Sequence, residues 1–96
     1  MEFKKDENSF YHENEAGERI AEITFKPVGD SDKVVDADHT FVDPSLRGQG
    51  IAEQLVDRLV EEVEKEGKKI SPSCPYVVEL FNRKPDKYEH IKANEN

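Results

Sequence analysis

The sequence predicts an α+β (mixed α/β) fold, built from a twisted, mostly antiparallel sheet of about four to five strands with two main helices. Apolar and polar residues alternate over residues 19–28 and 33–42, which is the period of half-buried strands. Over residues 51–63 apolar residues recur at helical spacing instead. A further strand and helix follow, so a strand–helix–strand crossover joins the otherwise antiparallel sheet.

The strands come first along the chain. Residues 9–12 fit a short strand, and residues 14–17 fit a turn in which Gly17 is free to adopt a positive φ. In the strand over 19–28, alternation places three apolar residues on one face: Ala21, Ile23 and Phe25. In the strand over 33–42, the same rule places four residues on one side: Val35, Ala37, His39 and Phe41.

The helices follow the strands. The apolar stripe of the first helix contains Ile51, Leu55, Leu59 and Val63, flanked by Ala52, Val56 and Val60. Gly67 is expected to end this helix. Residues 68–73 form a short strand, residues 75–83 form a second helix, and Pro85 stops that helix. Residues 88–91 fit a last turn, and residues 93–96 are expected to be frayed. The 96 residues are therefore interpreted as one domain.

Composition excludes several classes of function. Acidic residues outnumber basic ones by 22 to 14, and a formal net charge of −8 disfavours binding to nucleic acid or to anionic membranes. No apolar run approaches the roughly 20 residues that cross a bilayer, and the N-terminus does not resemble a signal peptide. The single cysteine cannot form an internal disulfide. We expect a cytoplasmic protein, and a monomer because no spare apolar stripe is visible.

The segment between the second long strand and the first helix carries the clearest candidate site. Two glycines allow a ligand to approach the backbone closely, and the unpaired amides at a helix N-terminus attract anions. The Gly-Lys-Ser/Thr of a Walker phosphate loop and the three spaced glycines of a dinucleotide fingerprint are both absent. The alternative is a tight strand-to-helix turn without a ligand. The candidate binding residues are Arg47, Gly48, Gln49, Gly50, Ile51 and Ala52.

This segment resembles the signature of the GNAT superfamily of N-acetyltransferases, Gln/Arg-x-x-Gly-x-Gly/Ala, in the form Arg47-x-x-Gly50-x-Ala52. The resemblance implies that the turn binds the pyrophosphate of acetyl-coenzyme A (acetyl-CoA), the acetyl donor. It also implies that the preceding strand pairs with the pantetheine arm, through the backbone of Phe41 and Val42. The partners implied are this cofactor and an amine acceptor, which the sequence does not identify.

Cys74 is the second candidate. It precedes Pro75, which is favoured at the first position of a helix, so Cys74 is expected to be the N-cap residue. A thiol there faces the positive end of the helix, which favours the nucleophilic thiolate. The alternative is a half-buried packing residue. His39-Thr40 and Cys74-Pro75-Tyr76-Val77 also resemble a small GNAT-like subfamily of minimal acetyltransferases, in which the cysteine is suspected of a catalytic role.

The other catalytic groups are less determined. His39 is a candidate base for the incoming ammonium, or else a packed strand histidine. No residues at ligand spacing accompany the remaining histidines, so no metal site is indicated. Larger GNAT enzymes carry a proton-donating tyrosine on the last helix. Leu80 and Phe81 stand at the corresponding place here, although Tyr76 or Tyr88 could substitute.

Three functions remain open after these observations. The first is acetyl transfer from acetyl-CoA to an amine, either through a cysteine nucleophile or with Cys74 only as a wall of the pocket. The second is a non-catalytic module that binds or senses acyl-CoA. The third is an interaction domain that uses the acidic helix face formed by Glu61, Glu62 and Glu64, a pattern that more often marks a solvated surface.

Overall fold

The structure is a computed structural model that describes residues 1–29 and 32–93. Five strands and three helices occur in these residues, and they confirm the α+β class. A single 3₁₀ turn, Pro44–Leu46, lies between the fourth strand and the first helix. The elements are β1 (Lys4–Asp6), β2 (Ser9–Glu13), β3 (Arg19–Pro27), β4 (Val34–Val42), α1 (Ile51–Lys65), β5 (Lys69–Pro72), α2 (Pro75–Arg83) and α3 (Pro85–Tyr88).

The strands lie in chain order, β1-β2-β3-β4-β5, in one sheet. The first three pairings are antiparallel, and β4 pairs with β5 in parallel through the α1 crossover. Gly17 has a φ of 83° in the turn before β3, as predicted. β1 was not predicted from the sequence, because Lys4, Lys5 and Asp6 are all polar and show no alternation. A short charged strand of this kind protects the edge of a sheet from pairing with other chains.

The hydrophobic core lies between one face of the sheet and α1, with α2, α3 and the chain after α3 closing it. The predicted stripe of α1 is buried, from Ile51 at the first position to Val63 in the last turn. On the sheet, Ala21 and Ile23 are fully buried, while Phe25 is half-buried and stacks on Phe10 with ring centroids 5.7 Å apart. The alternation in β3 was therefore predicted correctly.

The alternation in β4 is interrupted by a β-bulge. Thr24 of β3 is opposite His39, but its neighbour Phe25 is opposite Ala37, so Asp38 is an extra residue in β4. The Thr24 hydroxyl donates a hydrogen bond to the Asp38 carboxylate at 2.5 Å, which ties the bulge to the neighbouring strand.

The bulge reverses the two faces of β4 beyond Ala37, because side chains alternate with a period of two and one residue is inserted. Thr40 and Val42 consequently lie on the core side, while His39 and Phe41 are exposed on the outer face. The prediction that His39 and Phe41 share a face with Ala37 is therefore wrong, and so is the interpretation of His39 as a packed residue.

The bounds of α2 agree with the prediction, whereas Pro85 occupies the first turn of α3 instead of simply ending α2. Tyr88 is buried, and its hydroxyl donates to the Asp57 carboxylate at 2.6 Å. The Ala93 N–H donates to the Ile70 carbonyl at 2.8 Å, so Ala93 is not frayed. The rest of the predicted frayed end lies outside the described residues. No helix in the described ranges is both long and apolar enough to cross a membrane.

Candidate active site

A fork between β4 and β5 forms the centre of the candidate site. The two strands pair only over Val34–Ala37 of β4. The N–H groups of Ser73 and Cys74 then both donate to the Ala37 carbonyl, at 3.1 Å and 3.0 Å. Beyond this point β4 continues to Val42, while the segment that follows β5 turns into α2. The edge of β4 that follows the bulge therefore has no pairing with β5.

The backbone groups that face this open edge follow from the alternation of the β3–β4 ladder. Asp43 donates its N–H to the Ile20 carbonyl of the β3 side at 2.8 Å. Phe41 lies two residues earlier, so its backbone also faces β3. The N–H and C=O groups of Thr40 and Val42 point the other way, into the fork. Of the two residues predicted to pair with a ligand, Val42 has its backbone groups on the open edge and Phe41 has them toward β3. Thr40, which was not predicted, shares the open edge with Val42.

The glycine turn connects this open edge to α1. The Asp43 carboxylate accepts from the Ser45 N–H at 3.0 Å and so caps the 3₁₀ turn that follows β4. Gly48 and Gly50 then adopt positive φ angles of 83° and 72°. A Cβ at either position would meet no atom within 4 Å. The backbone conformation, and not crowding, is what requires glycine here.

Gly50 is the N-cap residue of α1, and no side chain caps the helix. The first amides of a helix have no partner within the helix, so those of Ile51 and Ala52 are available to an anion. The Ile51 side chain is only 4% exposed and anchors this end of α1 in the core. Residues 47–50 are exposed, and Arg47 precedes the N-cap residue by three positions.

Cys74 lies at the other wall of the fork. It is the N-cap residue of α2 and is followed by Pro75, as predicted. Its side chain is 6% exposed and belongs to the hydrophobic core cluster. The Cys74 thiol donates to the Thr40 hydroxyl oxygen with a distance of 3.5 Å between Sγ and Oγ1. The cysteine is therefore more deeply buried than the half-buried position predicted from the sequence.

His39 and Cys74, the two predicted catalytic residues, are on opposite faces of the sheet. His39 is exposed on the outer face, and Cys74 is buried on the core side. The bulge places Thr40 where uninterrupted alternation would have placed His39. The sequence contained the His-Thr pair but no signal for the bulge, so Thr40 was not singled out.

The two tyrosines considered as proton donors differ in their surroundings. Burial and the hydrogen bond to Asp57 raise the pKa of Tyr88, whose hydroxyl is committed to that carboxylate. Burial, followed by the negative charge of Glu53, raises the pKa of Tyr76. Both tyrosines stay protonated at neutral pH, but Tyr76 is half-buried whereas Tyr88 is buried, so Tyr76 is the better candidate.

An ion-pair cluster joins the first turn of α1 to the α2–α3 junction. The Glu53 carboxylate accepts from the Lys84 ammonium at 2.9 Å and from the Lys87 ammonium at 2.7 Å. These bonds, the one from Lys87 foremost, lower the pKa of Glu53 to about 2. The cluster fixes the end of α1 that carries the uncapped amides.

Residues 9–91 match the model of the GCN5-related N-acetyltransferase family. The chain belongs to this family. The open β4 edge, the glycine turn and the uncapped helix N-terminus therefore lie within a GNAT domain. No curated protein matches the sequence.

The solved structures agree with this assignment. The solution NMR structure of a GCN5-like protein from Staphylococcus aureus has a TM-score of 0.79 and 30% identity, covering 99% of this chain and 90% of that one. A GNAT-family N-acetyltransferase from Escherichia coli, solved in complex with CoA, has a TM-score of 0.59 and 26% identity. That match covers 67% of this chain but 38% of the E. coli chain. A ribosomal-protein-alanine N-acetyltransferase from Brucella melitensis shares the fold at 23% identity.

Proposed function

We propose that this GNAT protein transfers the acetyl group of acetyl-CoA to an amine. The observation that carries the proposal is that the open edge of β4 and the glycine turn form one continuous surface. An unpaired strand edge at Thr40 and Val42 leads directly into a turn whose exposed amides and Arg47 can hold an anion. Acetyl-CoA has the matching parts, an amide-bearing arm followed by a diphosphate.

The residues of the chain fit this donor in two places. The amides of residues 48–52 and the Arg47 guanidinium would hold the diphosphate, because oriented amides and a fixed charge need no rearrangement to bind it. The N–H and C=O groups of Val42 and Thr40 would pair with the amides of the arm as an added strand does. The donor supplies an activated acetyl group, attached as a thioester.

Cys74 is the proposed nucleophile. Its thiol loses a proton to solvent, and the thiolate attacks the thioester carbonyl. The bond from the carbonyl carbon to the CoA sulfur breaks, and the leaving thiolate takes up one proton, so that an S-acetyl cysteine and CoA are formed. A neutral amine then attacks the S-acetyl group, the Cys74 thiolate leaves, and the amide product loses a proton. Tyr76 is the proposed donor of the proton to the leaving CoA thiolate, and it regains a proton from solvent.

Binding of acyl-CoA without transfer is the second candidate. It is favoured by the burial of Cys74, which is only 6% exposed, and by the position of His39 on the opposite face of the sheet. In this case the fork and the glycine turn would still hold the donor. The two candidates differ only in whether the acetyl group moves.

Intact-protein mass spectrometry after mixing with acetyl-CoA separates the two candidates. Transfer through Cys74 predicts a gain of one acetyl group that Cys74→Ala abolishes and that an added amine removes. Direct transfer predicts an acetylated amine with both proteins. Binding alone predicts thermal stabilisation by acetyl-CoA without any acetylated product. Absence of both stabilisation and product would refute the proposal.

The acceptor is an amine whose class is open, and peptides, polyamines, small metabolites and lysine side chains are the groups to compare. Consumption of acetyl-CoA in the presence of each class would rank them. A class that accelerates loss of the S-acetyl group from Cys74 would be identified as the acceptor.

A further inference from the structure

The side chain of Thr40 has no role in the binding scheme above, which uses only its backbone. Its hydroxyl oxygen nevertheless lies 3.5 Å from Cys74 Sγ, across the mouth of the fork. The contact joins the two walls at the point where β4 and β5 have stopped pairing. Thr40 is half-buried and Cys74 is buried, so water has limited access to compete for this hydrogen bond.

The β-bulge is what brings this hydroxyl to the thiol. If Asp38 paired regularly with Thr24 and β4 had no bulge, the position would belong to His39. The Thr24 hydroxyl and, at 3.9 Å, the Lys26 ammonium both interact with the Asp38 carboxylate on the outer side. The bulge is thus held by contacts of its own, and it fixes which residue of β4 faces Cys74.

We infer that Thr40 is a positioning residue for Cys74. The Thr40 hydroxyl donates a hydrogen bond to the Cys74 thiolate and holds the sulfur toward the fork. This inference rests on the proposed function, in which Cys74 is the nucleophile. The hydroxyl can reverse its role, because it accepts from the neutral thiol and donates to the thiolate. A donor to a buried anion favours ionisation, since it replaces water that the core excludes.

The test measures ionisation of the thiol directly, by the ultraviolet absorbance of the thiolate as a function of pH. The chain has one cysteine, and subtracting the titration of the matching Cys74→Ala protein removes the absorbance of its three tyrosines. Thr40→Val keeps the shape of the side chain and removes the hydroxyl. We expect its titration midpoint to rise by about one pH unit, which is a tenfold smaller thiolate fraction below both midpoints. Thr40→Ser should restore the midpoint of the wild type.

Ser73→Ala is the matched control. It removes the hydroxyl of the residue before Cys74, which donates to the Asp36 carboxylate at 2.7 Å. Its midpoint should equal that of the wild type. If Thr40→Val fails to fold, as judged by circular dichroism, Thr40→Ala provides the same comparison.

The inference is overturned if removal of the Thr40 hydroxyl leaves the midpoint unchanged, or if Thr40→Ser behaves like Thr40→Val. Its failure is distinguishable from failure of the proposed function. Acetyl-CoA affinity, measured by calorimetry on the same proteins, reports on the backbone of the fork, which these substitutions keep. Loss of acetyl-CoA binding in the wild type would reject the proposed function, whereas the titration tests the contact between the hydroxyl and the thiolate in either case.

Discussion

The glycine turn and the fork are adjacent in space, but they are specified in different ways. The turn depends on local conformation, because Gly48 and Gly50 adopt positive φ angles that other residues rarely tolerate. The fork depends on the register of β4 against two neighbours, including the extra residue Asp38. The comparison teaches that a binding surface can be local in origin while the reactive group beside it is positioned by tertiary structure.

The largest effect is expected for Gly50→Val. A β-branched residue at a φ of 72° would force the N-cap into another conformation, so that the first amides of α1 would no longer point toward one site. We expect acetyl-CoA affinity, measured by calorimetry, to fall by about a hundredfold or more, since several hydrogen bonds to the charged diphosphate are lost together.

Gly67→Val is the matched control for this prediction. Gly67 has the same φ of 72°, follows the other end of α1, and has equally open space around its Cα. Both variants should lose a similar stability, of about 1–2 kcal/mol. Equal losses of affinity in the two variants would show that strain alone, and not the position of the amides, explains the effect.

Arg47→Ala should have the next largest effect. Its guanidinium is exposed beside the turn, where water and salt screen it. We expect affinity for acetyl-CoA to fall by about tenfold and its dependence on salt concentration to weaken. Lys65→Ala removes a charge from the opposite end of α1 and should change neither quantity. A salt dependence that Arg47→Ala leaves intact would place the diphosphate elsewhere.

A smaller effect is expected for Tyr88→Phe. This variant tests whether the Tyr88 hydroxyl takes part in acetyl transfer or only stabilises the fold. The variant removes the hydroxyl that donates to Asp57 at 2.6 Å. We expect the free energy of unfolding, from urea denaturation, to fall by about 1 kcal/mol, because Asp57 loses a hydrogen bond. Acetyl transfer should be unchanged. A transfer rate lowered at equal stability would identify Tyr88 as a proton donor.

These contacts show which features the sequence could predict. The bounds of α2 and the burial of the α1 stripe follow from periodicity and from Pro75 and Gly67, which act locally. The open edge and glycine turn followed from the strand-to-helix order and the GNAT resemblance. The side of β4 on which His39 lies could not be predicted, because Asp38 has no residue signature of a bulge.

The contacts of the C-terminal part were equally inaccessible. Tyr88 reaches Asp57 across 31 positions of sequence, and Lys87 reaches Glu53 across 34. Neither pair lies at a helical or strand spacing that a pattern could detect. β1 was missed because its pairing with β2, and not its composition, makes it a strand.

The smallest effect concerns pH and the cluster that holds the N-terminal turn of α1. The pKa of Glu53 is lowered from 4.5 to about 2 by Lys87 and Lys84. Because the pKa of Glu53 is lower in the folded state than in the unfolded state, its carboxylate stabilises the fold at pH values above about 4.5. This contribution is lost as the pH falls from about 4.5 to about 2. Glu53→Gln should therefore flatten the decline of stability over this window, measured as the urea midpoint at each pH.

Glu61→Gln is the control, since Glu61 is largely exposed and its nearest cation, Arg58, is 3.9 Å away. Its stability should decline with acid as the wild type does. Identical profiles for Glu53→Gln and the wild type would show that the cluster contributes no stability in this range.

A ¹H–¹⁵N NMR titration with acetyl-CoA tests the central claim most directly, because it reports on each amide. The largest shifts should appear at Thr40 and Val42 in the fork and at Gly48, Gly50 and Ala52 in the turn. The amide of Gly67 should remain unchanged. Saturable shifts confined to other parts of the molecule, or no shifts at all, would contradict the claim that the fork and the turn together bind the donor.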